Sequence, residues 1–144
     1  MAVRMLRHLL PGEPILYLGD TARMPYGDRP AGEIDRLTGE LTGWLLRQNV
    51  KALIAACGTI SCNAGETLQQ LPVPCFDVVT AAAEAAAQAT RNGKVGLAAT
   101  SATIRSGRFT EEIERRTGQA VTAVPCPLLA PMIEHLSLIH ISEP

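Results

Sequence analysis

The sequence predicts an α/β fold: an open, mostly parallel sheet flanked by helices in three layers. Three observations point there. Short apolar runs such as Leu53-Ile54-Ala55-Ala56 and Val95-Gly96-Leu97-Ala98-Ala99 show no polar alternation, as strands buried on both faces do. Between the runs, apolar residues recur at helical spacing. Several runs also end in small, hydroxyl or thiol residues, which let a ligand approach the carboxyl edge of such a sheet.

The elements follow in order. Residues 1–10 read as a helix that packs Val3, Leu6, Leu9 and Leu10, and Pro11-Gly12 ends it. Residues 14–18 read as a strand, and residues 19–29 as a long loop. Pro30 opens a helix running to Gln48, with Ile34, Leu37, Leu41, Trp44 and Leu45 on one side. Residues 51–56 are the next strand. A helix over 62–71 is stopped by Pro72. Residues 74–79 are a strand, after which Thr80 caps an alanine-rich helix over 81–90, with Gly93 as its C-cap. A strand over 94–99, a helix over 104–117 closed by Gly118, a strand over 120–124 and a helix over 128–136 complete the series. Strands separated by helices give parallel order with right-handed crossovers. The expected class is therefore flavodoxin-like. The chain opens on a helix with no strand before it, and the last residues break the pattern. The fold is thus expected to be truncated at both ends. Residues 1–136 are expected to form an incomplete α/β domain, and residues 137–144 a non-native or unstructured tail.

Composition narrows the function. The 144 residues suffice for one domain. An apolar content of 47% excludes a disordered chain. Thirteen basic and fourteen acidic residues leave a net charge of -1, which provides no field for nucleic acid or acidic membranes. No apolar stretch approaches the roughly 18 residues of a membrane span. The first residues lack the long apolar core of a secretory signal. A cytoplasmic protein acting on a small molecule is the expectation. Cys57, Cys62, Cys75 and Cys126 contain no CxxC spacing, so free thiols are expected rather than a metal site. No GxGxxG or Walker loop supports a nucleotide cofactor.

The chemistry gathers at three loops: residues 20–28, 57–59 and 100–103. Threonine hydroxyls and nearby amides suit a carboxylate or phosphate. A thiol at Cys57 beside them suits nucleophilic attack or proton abstraction. Each residue has a plainer reading. Cysteine is among the most buried residue types, so Cys57 also fits a strand-end core position. Cys62 and Cys75 fit inert core thiols. Thr59, Thr100 and Thr103 each fit a helix cap. Tyr26 fits a rim aromatic and Asp20 a turn cap. His8, His135 and His140 are not placed like a general base.

Four segments resemble glutamate racemases of the aspartate/glutamate racemase family. They are Gly19-Asp20-Thr21-Ala22-Arg23-Met24-Pro25-Tyr26-Gly27, Ala55-Ala56-Cys57-Gly58-Thr59-Ile60-Ser61, Ala99-Thr100-Ser101-Ala102-Thr103-Ile104-Arg105-Ser106-Gly107 and Cys126-Pro127-Leu128. The resemblance spans residues 2–136. It implies cofactor-independent interconversion of L- and D-glutamate for peptidoglycan synthesis, by proton transfer between two cysteines at the α-carbon. It implies Cys57 as the first catalytic cysteine. Tyr26, Gly27, Gly58, Thr59, Thr100 and Thr103 are the implied substrate-binding positions. Gly58 stands where the family usually has Asn, which removes an amide side chain. The second catalytic cysteine is implied to lie in the second half of the family's length, so neither Cys62 nor Cys126 fills that place. An acidic neighbour of the first cysteine is implied to precede residue 1. A homodimer is implied for the full-length form, and inactivity is expected of these 144 residues alone. Two other readings stay open: an aspartate or other amino-acid racemase, and a non-catalytic domain that binds small carboxylates.

Overall fold

The computed structural model describes residues 2–133. Helix α1 (Ala2–Leu9) precedes a segment of turns and extended chain, and α2 (Ala31–Leu46) follows Pro30. Strand β1 (Leu53–Ala55) runs into α3 (Gly58–Asn63) and α4 (Gly65–Gln69). Strand β2 (Cys75–Asp77) leads directly into α5 (Val78–Ala89). Strand β3 (Gly96–Ala99) is followed by α6 (Ser101–Ser106) and α7 (Arg108–Thr117), and β4 (Thr122–Pro125) comes last. Residues 129–133 are again helical. The remainder of the helix expected over 128–136, His135, His140 and the whole of 137–144 lie outside the described residues.

The α/β class with parallel pairing and flanking helices holds. The strands form two parallel pairs, with β1 beside β2 and β3 beside β4. Leu53 lies opposite Cys75 and Ala55 opposite Asp77. Gly96 lies opposite Thr122 and Ala99 opposite Pro125. The single sheet expected from the alternation is thus two ladders. Helix α3, which follows β1, packs on α6, which follows β3. The pairs are therefore joined through helices and side chains at their carboxyl ends.

Four local expectations are corrected. Residues 14–18 form no strand, because a strand needs a ladder partner and none reaches this segment among the described residues. Leu16 and Tyr17 remain exposed there. The helix expected over 62–71 begins at Gly58 and breaks at Ala64, whose φ of -121° and ψ of 34° leave helical geometry. The helix expected over 104–117 begins at Ser101 and breaks at Gly107, with φ +71°. That left-handed value suits a residue without a β-carbon. Asp77, rather than Thr80, caps α5: its carboxylate accepts from Val79 N at 2.8 Å and Thr80 N at 3.2 Å. Such a cap contributes about 1 kcal/mol.

The core lies where the loop before α2 meets α6. Tyr26, Ile34, Leu37 and Ala102 form one buried cluster, with Ile60 of α3 packed against it. Helices α5 and α7 pack together and bury Val79, Ala83 and Ile113. In contrast, Ile54 and Phe76 are cross-strand neighbours that both stay exposed. No described helix is long and apolar enough to cross a membrane.

Candidate active site

Strand β1 delivers Cys57 to its carboxyl end. The residue caps α3 in an extended conformation, with φ -104° and ψ 118°. Its side chain is exposed and in no disulfide, so the strand-end core reading does not hold. Cys62, one turn further, is the buried thiol. Burial pushes its pKa up, and a contact with Ser106 works against that rise. Burial also raises the half-buried Cys75. Neither is set up as a reactive thiolate. Cys126 follows β4, and its N–H donates to Ala99 O at 2.7 Å.

Thr59, on the first turn of α3, meets the start of α6. Its hydroxyl is 3.0 Å from Thr100 Oγ1 and 3.5 Å from Thr103 Oγ1. Thr100 Oγ1 and Thr103 Oγ1 are also 3.0 Å apart, so three hydroxyls form a triangle. Thr100 is a helix cap as well, accepting from Thr103 N at 3.4 Å. The cap and cluster readings are therefore both true of it. Thr59 and Thr103 are buried.

The loop before α2 completes the arrangement. Gly27 O accepts from Ala102 N at 2.8 Å, which docks the loop on α6. A β-carbon at Gly27 would lie 2.9 Å from Thr100 Cγ2. Glycine is required there by close approach. Tyr26 is buried in the core rather than at a rim, and its hydroxyl donates to Asp20 Oδ2 at 2.5 Å. Asp20 also pairs with Arg23 Nε at 2.6 Å, and Arg29 lies over the Tyr26 ring at 5.9 Å. The Tyr26 hydroxyl is thus spent on Asp20, and the side chain anchors the loop. Gly58 has room: a β-carbon would find only Phe109 Cε2, at 3.8 Å.

Desolvation, followed by the bond to Asp20, raises Tyr26 from 10.0 to about 12. Between those values the folded chain holds a proton that the unfolded chain has lost, so stability falls as pH rises through this window. In a Tyr17→Phe background, alkaline titration followed by phenolate absorbance is expected to show a midpoint near 12. Adding Asp20→Asn lowers it.

Three residues escaped the sequence reading. Asn63 Nδ2 donates to Thr59 O at 2.9 Å and to Ala102 O at 3.3 Å, tying α3 to α6. Arg108 donates to Ser61 O and bonds Asp77 Oδ2 at 2.5 Å. Ser61 is fully buried beside the Cys57 turn. An Asn on the inner side of a short helix is a usable local signal for the first. The partners of Arg108 are 47 and 31 residues away, so no local pattern reveals them.

Two cavities, of about 360 and 370 Å³, lie away from Cys57. One is walled by α4, the start of β2, Asp77 and Arg108; the other by Asp20, Glu40, Leu41 and Trp44. Cys57 is exposed, whereas Thr59 and Thr103 are buried. Among the described residues, no three His, Cys, Asp or Glu side chains gather as metal ligands.

Fold and site define an α/β protein that presents a thiol and a set of uncharged hydroxyls at the carboxyl ends of parallel strands. The sequence profile of the Asp/Glu/Hydantoin racemase family matches residues 1–136, and the chain belongs to that family. A glutamate racemase of Neisseria meningitidis is 39% identical over 141 residues, covering 96% of this chain and 52% of that protein. The solved glutamate racemase of Aquifex pyrophilus superposes with a TM-score of 0.84 at 37% identity, covering 90% of this chain and 52% of that one. A Francisella tularensis glutamate racemase solved in complex with D-glutamate gives a TM-score of 0.84 at 36% identity, covering 92% and 51%. The chain spans about half the length of the curated relatives it matches.

Proposed function

We propose that this chain serves the cofactor-independent racemisation of glutamate, with Cys57 as the base on one face of the α-carbon. The observation that carries the reading is that, in a member of this family, an exposed thiol at the start of α3 stands two residues before Thr59, whose hydroxyl meets those of Thr100 and Thr103. The α-proton of an amino acid is weakly acidic. Its removal demands donors aimed at the carboxylate, where negative charge develops. Hydroxyls of the three threonines and the backbone around Gly27 and Gly58 supply that kind of group. Tyr26 contributes by holding Gly27 in place. The thiolate of Cys57 takes the proton, and a second thiol returns one to the opposite face. That second base is assigned to no residue described here. The role in the cell is supply of D-glutamate for peptidoglycan, in the cytoplasm, with a homodimer as the full-length form.

The test is α-proton exchange in heavy water, followed by proton NMR. It is run on this chain and on the same chain extended to the length of its relatives. Glutamate is expected to exchange faster than aspartate, and the extended form to invert configuration. Faster exchange of aspartate would shift the substrate. Carboxylate binding without exchange in either form would leave a binding domain and end the racemase reading.

A further inference from the structure

We propose that Ser61 is the positioning residue for Cys57. The turn from β1 into α3 is closed from one side by this single residue. Ser61 N donates to Cys57 O at 2.9 Å, and Ser61 Oγ donates to Ala55 O at 3.1 Å. The two acceptors flank Ala56 and end at Cys57, so one residue fixes the backbone on both sides of the strand-to-helix corner. Ser61 is 0% exposed, so both bonds start from a fully buried residue.

Ser61 is itself held. Arg108, at the start of α7, donates to Ser61 O with one guanidinium nitrogen. The other pairs with Asp77, the cap of α5. The corner that presents Cys57 is therefore braced against two further helices. Cys57 is exposed, and no side-chain hydrogen bond of its own orients it within the described residues. Its direction is inherited from the backbone that Ser61 clamps. Without the hydroxyl, Ala55 O loses a partner and the corner is free to sample other angles.

The name of base for Cys57 rests on the racemase reading; the contact geometry does not. The test therefore uses thiol chemistry, on the 144-residue chain. Iodoacetamide alkylation of Cys57 is followed by peptide mass mapping, with Cys126 in the same sample as the internal reference. Ser61→Ala is expected to raise the Cys57 rate about threefold to tenfold, the span set by one buried hydrogen bond, and to leave Cys126 unchanged. Ser61→Thr keeps the hydroxyl and is expected to stay near the parent rate. Ser61→Val has the shape of Thr without the hydroxyl and is expected to follow Ala. An unchanged Cys57 rate in Ser61→Ala overturns the assignment, as do equal rates for Thr and Val. Should Ser61→Ala fail to fold, judged by circular dichroism, the Thr and Val pair carries the test alone. Absence of α-proton exchange in every form would remove the racemase reading and leave the alkylation result standing.

Discussion

In the chain extended to the length of its relatives, replacing Cys57 with Ala is expected to slow α-proton exchange at glutamate by about a hundredfold to ten-thousandfold, the range that a positioned acid–base group contributes. Stability should barely move. The side chain is exposed and its backbone bond to Ser61 N survives the change, so a shift within about 0.5 kcal/mol is expected. Cys57→Ser is the sharper variant. It keeps the size of the group and offers an alcohol, a far weaker acid than a thiol, so it too loses exchange. Cys62→Ala gives the opposite pattern. That thiol is buried, and its loss costs stability by leaving a small void. Exchange by NMR and thermal melting of the two variants, side by side, separate chemistry from packing. Exchange at the parent rate in Cys57→Ala would take this residue out of the reaction.

Replacing Gly27 with Ala is expected to disrupt the site as severely through sterics alone. The new β-carbon would lie 2.9 Å from Thr100 Cγ2 and 3.0 Å from Thr100 Cβ. The threonine does not rotate away freely, because its hydroxyl is held by Thr59 and Thr103. Either the hydroxyl triangle opens or the loop lifts and breaks the bond from Ala102 N to Gly27 O. Overpacking of this kind costs about 1–3 kcal/mol. The first route breaks up the hydroxyl cluster and the second separates the loop from α6, so in either case carboxylate affinity is expected to fall with stability. Thr100→Ser removes the clashing methyl and keeps the hydroxyl. Gly27→Ala with Thr100→Ser is therefore expected to regain part of both losses, measured by calorimetric titration with glutamate and by thermal melting. No recovery in the double variant would locate the fault elsewhere than in this contact.

What could be read from the sequence was what depends on near neighbours. The long amphipathic α2 announced itself through Ile34 and Leu37, which are both buried. The apolar runs at β1 and β3 and the left-handed Gly118 were visible in the same way. Gly107 was available as a breaker, yet the expected helix ran through it to Gly118. Asp77 was hidden by its position: it ends a strand and caps the next helix with no residue between. The segment at 14–18 has a strand's composition, but strand formation is decided by a partner, which composition does not contain. The same limit applies to the site. Cys57 and the threonines stood out by type and by their place after apolar runs. The burial of Tyr26, the bridge from Asn63 and the brace from Arg108 all depend on chain that returns from far away.

The hydroxyl triangle carries a consequence for proton accounting. Three threonine hydroxyls hold three protons, and the acceptors within the cluster of Thr59, Thr100 and Thr103 suffice to take up all of them. An entering oxyanion then takes a proton donor out of the cluster, trading one hydrogen bond for another. No lysine or arginine belongs to the cluster, so the exchange involves no release of counterions and little screening by salt. The long edge, from Thr59 to Thr103 at 3.5 Å, is the weakest bond to surrender.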